Sequence, residues 1–290
     1  MKAEGRIFRR GNGAVVAFSE YGDPRGAPVF FCHGWPSSRT MAELADEAAK
    51  DIGLRIISPD RPGIRDSHLD PKRTLLDWPP LMRELAAHLQ IERFRILAIS
   101  GGAPYAYVAA WAMPGRVEKV AVVSGAPPIA GLRERNGLLP IHQRMLALRE
   151  SRPALLRTLF HFVRPFAAMK MPIRVRPFLL RFLQPCDANV LRDSRSFEVC
   201  FESARQAWRS SAEGLMVDAE IYAKPWGFPL EDVSVPIHLW HGKKDRTFSL
   251  RLAEQIATRL PNCEFRLVDD AGHFSLPIRH IHEILADLIR

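Results

Sequence analysis

Residues 94–102 read Phe94-Arg95-Ile96-Leu97-Ala98-Ile99-Ser100-Gly101-Gly102. An apolar run of strand length ends on a serine. The text from Tyr105 to Met113 is helical until Pro114-Gly115 stops it. A nucleophile held on a sharp strand-to-helix turn has a strained backbone, and the residues two positions to either side must be small. Ala98 and Gly102 satisfy that condition. The turn also places Ser100 at a helix N-terminus, where the helix dipole favours a developing anion. Ser100 is therefore the candidate nucleophile. The bland alternative is a glycine-rich connection or a phosphate loop, but the chain contains no G-x-x-x-x-G-K-S/T and no G-x-G-x-x-G after a strand.

Outward from this turn, strand-like and helix-like segments alternate. Arg6–Phe8 and Ala14–Tyr21 flank a Gly11-Asn12-Gly13 turn, which signals a hairpin. Short apolar runs begin at Pro28, Leu54, Phe94 and Val117, with helical patterns between them such as the one closed by Gly53. Two more strand-like runs, from Pro236 and Cys263, precede a last helix from about Pro277. Eight strands alternating with helices predict a mostly parallel sheet with right-handed crossovers, an α/β fold. From Ala126 to Leu230 no strand pattern occurs, only Arg-rich helical text broken by prolines. The economical division is an α/β core at residues 1–126 and 231–290, interrupted by a helical insertion at 127–230.

Several motifs at the strand ends resemble the α/β-hydrolase family. The turn at Ser100 is similar to that family's G-x-S-x-G nucleophile elbow, with Ala98 in the first small position. His33-Gly34-Trp35-Pro36 resembles the family's H-G-x-P loop. The resemblance implies that the backbone N–H groups of Trp35 and Gly101 form an oxyanion hole, with His33, Gly34 and Pro36 shaping the loop. In that architecture the acid follows a late strand and the histidine precedes the last helix. The matching residues are Asp245 in His241-Gly242-Lys243-Lys244-Asp245 and His273 in Asp269-Asp270-Ala271-Gly272-His273. The order Ser100, Asp245, His273 is the order of this family. Asp269 and Asp270 are expected to close a strand or cap a turn, Asp218 to lie on the surface, and His241 to be structural. Asp60-Arg61-Pro62-Gly63-Ile64-Arg65-Asp66-Ser67 resembles a D-x-P-G-x-G-x-S turn, with Arg65 where glycine usually stands. The resemblance further implies a helical cap over the site, and a serine nucleophile argues against dehalogenase and epoxide hydrolase chemistry. Carboxylic ester hydrolysis is the expected activity. Carbon–carbon bond hydrolases, thioesterases, peptidases and acyltransferases share the serine, and a small-molecule sensor on the same fold is the reading from another class.

Composition narrows the setting. The chain of 290 residues is 47% hydrophobic and 25% charged, which suits a folded globular protein. The uncharged stretch Ile96–Gly115 has the length of a membrane span, but its serine, glycines and prolines fit a strand, a turn and a helix better. The first thirteen residues show no secretory pattern. Cys32, Cys186, Cys200 and Cys263 have no metal-ligand spacing and suit a reducing compartment, so a cytoplasmic location is expected. Neither metal nor organic cofactor is required. The net charge is +9, and most of the excess falls in the insertion. Its arginines alternate singly with Leu, Phe and Met, which reads as a solvated helix face; a small-molecule substrate is expected, and neither nucleic acid nor stable membrane insertion. Phe160, Phe162, Phe166, Phe178, Phe182, Phe197, Phe201 and Trp208 of the insertion are expected mostly to pack its own layer.

Overall fold

A computed structural model describes residues 5–132 and 135–290; the first four residues, part of the segment read for a secretory pattern, lie outside it. The eight strands are β1 (Arg6–Arg9), β2 (Val15–Gly22), β3 (Ala27–Cys32), β4 (Leu54–Pro59), β5 (Phe94–Ile99), β6 (Val117–Val123), β7 (Ile237–Gly242) and β8 (Cys263–Val268). They form one sheet in the order β1-β2-β4-β3-β5-β6-β7-β8. Only β2 runs against the others, pairing antiparallel with both β1 and β4. The sheet is thus mostly parallel, as the alternation predicts. The hairpin turn at Gly13 has φ +82°, a left-handed conformation that glycine takes without steric cost.

The helices are α1 (Asp46–Ile52), α2 (Trp78–His88), α3 (Ala103–Ala112), α4 (Pro140–Ser151), α5 (Pro153–Ala167), α6 (Arg176–Leu180), α7 (Pro185–Val190), α8 (Ser194–Arg209), α9 (Ala212–Ala223), α10 (Leu250–Ala257) and α11 (Ser275–Ile289). The helical text closed by Gly53 divides into a 3₁₀ segment, Arg39–Ala45, and then α1. Strand side chains alternate between two cores. Phe30, Ile96, Ala98, Val120 and Leu239 pack with α2 and α3 on one face. Phe31, Leu97, Ile99, Val123 and Trp240 pack with α1 and α11 on the other. Both faces of the central strands are covered, so their text is continuously apolar. Each large side chain buried this way contributes about 1.5–3 kcal/mol.

The parallel strands end level with one another. Cys32 pairs with Ala98, Ile99 with Val123, Val123 with Trp240, and Gly242 with Val268. Loops leaving β3, β5, β7 and β8 therefore emerge at one edge of the sheet, the edge where open α/β sheets bind ligands. Helices α4–α9 form an insertion between β6 and β7.

Candidate active site

The backbone of Ser100 has φ +54°. For a serine this left-handed geometry is strained, at a cost of order 1–3 kcal/mol, and it persists because its surroundings enforce it. Gly102 is one reason: a Cβ there would lie 2.0 Å from the carbonyl oxygen of Cys32. Close approach to β3 thus explains the small residue two positions after the serine. Ala98 is fully buried between β3 and β6.

Three residues far apart in the chain meet at this turn. His273 Nε2 lies 3.0 Å from Ser100 Oγ, and His273 Nδ1 lies 2.8 Å from Asp245 Oδ2. The tautomer with hydrogen on Nδ1 satisfies both contacts: Nδ1–H donates to the carboxylate and the serine hydroxyl donates to Nε2. The other oxygen of Asp245 accepts from the N–H groups of Thr247 at 2.7 Å and Phe248 at 3.1 Å. Close packing of the two carrier loops fixes their spacing. The N–H of Lys244 donates to the carbonyl of Ala271, and a Cβ on Gly242 would lie 2.4 Å from that same oxygen.

The charges follow from this geometry. Burial pushes the His273 imidazole toward the neutral form, but the Asp245 carboxylate and its hydrogen bond outweigh that, and the net effect raises its pKa above the usual 6.5. Burial opposes ionisation of Asp245 too, yet His273 and the two backbone donors hold it below the usual carboxylate value. A base that must be neutral to accept a proton loses function as pH falls through its pKa. Turnover is therefore expected to decline on the acid side with a midpoint above 6.5. In Asp245→Asn the midpoint should move down, because burial is then opposed only by the more weakly acting Asp187; a pH profile of kcat/KM checks both.

The loop after β3 packs against the serine turn. A Cβ on Gly34 would lie 3.5 Å from Ser100 Cβ, and one on Gly101 would lie 3.0 Å from the backbone nitrogen of Trp35. The Trp35–Pro36 bond is cis. The Gly101 N–H lies in the first turn of a helical run, where such groups have no intrahelical acceptor. The backbone nitrogens of Trp35 and Gly101 thus come together beside Ser100. His33 is buried, with Nδ1 3.0 Å from the carbonyl of Gly34, and burial holds its pKa well below the usual value. His241 is likewise buried, with Nε2 3.1 Å from the Phe248 carbonyl. Asp269 and Asp270 are exposed and pair with Lys243 and Lys244.

Comparison with known proteins identifies the family. The model of the alpha/beta hydrolase family matches residues 29–287. The chain belongs to that family. Among curated relatives, a non-heme chloroperoxidase of Streptomyces lividans is 32% identical over 122 residues, 41% of this chain and 44% of that protein. A pimeloyl-[acyl-carrier protein] methyl ester esterase of Aromatoleum aromaticum is 36% identical over 72 residues, 25% of this chain and 27% of that one. The matched segments span less than half of either relative. Two solved structures are similar over nearly their whole length. A bromoperoxidase from Bacillus anthracis has a TM-score of 0.72 at 18% identity, covering 99% of both chains. A structure from a study of carboxylesterases of Nitrososphaera gargenis has a TM-score of 0.71 at 16% identity, covering 98% of this chain and 97% of that one. At such identities the likeness concerns the fold.

Several residues that hold this site together are not apparent from sequence. Asp218, expected on the surface, is fully buried. One of its oxygens accepts from Arg61 Nε at 2.7 Å, and the other from Tyr105 at 2.8 Å and from Arg73. Burial opposes its ionisation, but Arg61 and Arg73 hold the carboxyl below the usual value. Arg61 then donates to the carbonyls of His33 at 2.6 Å and Gly34 at 2.8 Å. Helix α9 can supply Asp218 because Gly214 meets Gly63 backbone to backbone; a Cβ on Gly214 would lie 2.1 Å from the Gly63 oxygen. Arg65 has φ +48°, so the turn keeps its left-handed step with arginine in place of glycine, at a cost of roughly 1–2 kcal/mol.

Asp187, on α7 of the insertion, is the second such residue. Its carboxylate accepts from the N–H groups of His273 and Phe274 at 3.1 Å each, and from the N–H and hydroxyl of Ser275 at 2.7 Å each. It caps the start of α11 and fixes the loop that carries the imidazole. Asp187→Ala is expected to cost about 2–4 kcal/mol of stability, since buried donors lose their acceptor, and to lower kcat more than it raises KM. Urea unfolding and steady-state kinetics check the two parts.

The insertion covers a cavity of about 920 Å³ that reaches Ser100 and His273. Leu146, Phe160, Met216 and Phe248 are among its apolar lining. His142 of α4 also faces it, stacked on Phe248. Burial and the neighbouring His273 push its pKa down to about 4, so it is neutral at pH 7. The indole N–H of Trp35 donates to the Leu215 carbonyl, and Tyr222 donates to the Gly101 carbonyl at 2.9 Å. These bonds tie α9 to the Trp35 loop and to the serine turn. Among the described residues, no group of three or more His, Cys, Asp or Glu is placed to hold a metal ion.

Proposed function

We propose that this hydrolase cleaves carboxylic esters with an apolar acyl or alcohol part, through an acyl-enzyme on Ser100. Ser100 Oγ attacks the ester carbonyl while His273 Nε2 takes its proton. Asp245 orients the imidazole and balances its positive charge. The N–H groups of Trp35 and Gly101 donate to the oxyanion of the tetrahedral intermediate. That intermediate collapses, the alkoxide leaves with the proton from His273, and an acyl ester remains on Ser100. Water, deprotonated by His273, then releases the carboxylic acid and restores the serine.

The observation that carries this reading is the continuous contact of hydroxyl, imidazole and carboxylate at 3.0 and 2.8 Å. The apolar cavity above Ser100 supports a substrate with a hydrocarbon portion, and residues 127–230 act as the cap that selects it. Free thiols at Cys32, Cys186, Cys200 and Cys263 suit work in a reducing cytoplasm.

A series of p-nitrophenyl esters from acetate to decanoate tests the proposal. Turnover should rise with acyl length before the cavity fills, and Ser100→Ala should remove it while the melting temperature is kept. Full turnover in Ser100→Ala would overturn the assignment.

A further inference from the structure

The insertion also carries an outer surface that hydrolysis does not use. Of the eight aromatic residues expected to pack its layer, Phe160 and Phe197 are buried, while Phe201 and Trp208 are partly buried. The other four remain largely exposed, in two ring pairs: Phe162 is 66% exposed and its neighbour Phe166 64%, Phe178 57% and its neighbour Phe182 74%. Met169 and Ile173 between them are exposed to a similar degree. On α5 the reason is geometric. Leu156 and Phe160 turn inward, whereas Leu155, Leu159, Phe162, Val163 and Phe166 recur at the helical period on the outward side. The helix is apolar on two faces and the fold covers one. Soluble monomers rarely leave so many large apolar side chains together in water.

Charge indicates what covers the other. Residues 151–186 contain seven Lys and Arg and no Asp or Glu. Arg157 pairs with Glu213, and Arg176 bonds the carbonyls of Leu191 and Arg192. Lys170, Arg174 and Arg181 are exposed and have no carboxylate partner among the described residues. A second copy of the chain would bring the same cations face to face. An anionic lipid surface meets both requirements, taking aromatic side chains into the acyl boundary and cations at the phosphates. No helix among the described residues is long and apolar enough to cross a membrane, so such contact is peripheral.

We propose that the outer face of α5 and the segment through Phe182 docks this protein on anionic lipid membranes. The place is consistent with access to the site. Leu156 of α5, and Leu179, Phe182 and Leu183, line the cavity above Ser100, so the docking face borders that cavity. An apolar compound dissolved in the bilayer could pass into the cavity without crossing water.

Sedimentation of the full chain with lipid vesicles tests this. Binding to vesicles of phosphatidylcholine and phosphatidylglycerol in equal parts should exceed binding to pure phosphatidylcholine by about tenfold or more, and weaken with added salt. The triple variant Phe162→Ser, Ile173→Ser, Phe166→Ser should lose that binding with its melting temperature unchanged, because those side chains are exposed. Lys170→Glu, Arg174→Glu, Arg181→Glu should erase the preference for the anionic lipid. Failure to sediment with either vesicle, or undiminished binding by the serine variant, would overturn the proposal. So would a dimer in solution that the serine variant converts to monomer, since the face would then serve self-association.

Discussion

Replacing His273 with alanine should lower kcat/KM for p-nitrophenyl esters by roughly 10⁴–10⁶-fold while leaving KM nearly unchanged. The imidazole has two tasks in the proposed mechanism. It removes the Ser100 proton during attack and returns a proton to the leaving alkoxide, and without it an ordinary hydroxyl faces the carbonyl. The residual rate would come from the Trp35 and Gly101 donors and from binding. Stability should fall modestly, because Asp245 Oδ1 keeps the N–H groups of Thr247 and Phe248 while Oδ2 loses its imidazole partner. Asp245→Asn should lose less than His273→Ala, since the base remains but its tautomer is no longer set. Steady-state kinetics on the purified variants decides this, and a loss of less than about tenfold for His273→Ala would be incompatible with an imidazole base.

Asp218→Ala should be the most damaging substitution for stability, at about 3–5 kcal/mol. Two buried guanidiniums, those of Arg61 and Arg73, share this one carboxylate. Removing it leaves both charges in the interior without a counter-ion. Activity should fall as well, because Arg61 would no longer be held against the carbonyls of His33 and Gly34 that shape the Trp35 loop. The acid dependence has a defined sign. The native carboxyl titrates below its usual 3.8, so its contribution is present above that value and is lost as pH falls through the lower native one. Urea unfolding of wild type and variant at neutral pH gives the magnitude.

The parts of this site readable in the chain are those set by local sterics. A strained serine needs small neighbours, and the contact of Gly102 with the Cys32 carbonyl shows which backbone makes that demand. Asp245 and His273 are readable because each follows a strand-like run that ends at the same sheet edge. Asp218 and Asp187 leave no such trace. The first is 157 residues from Arg61 and the second 86 from His273, and each lies on a helix of the insertion, with no local motif that names its distant partner. Asp218 reaches its arginines because two glycines, Gly63 and Gly214, let α9 approach a core turn, and neither glycine alone signals the pairing. The outward phenylalanines mislead for a related reason. Periodicity reports that a helix has an apolar face but not which partner covers it, and α5 has two such faces.

The most direct test of the central claim is reaction with a fluorophosphonate, which modifies a serine only when a neighbouring base activates it. Peptide mass spectrometry of the labelled protein should place one phosphonate on Ser100, with no labelling in His273→Ala. A label on any other residue, or an unreactive Ser100 in the folded wild-type protein, would contradict the account.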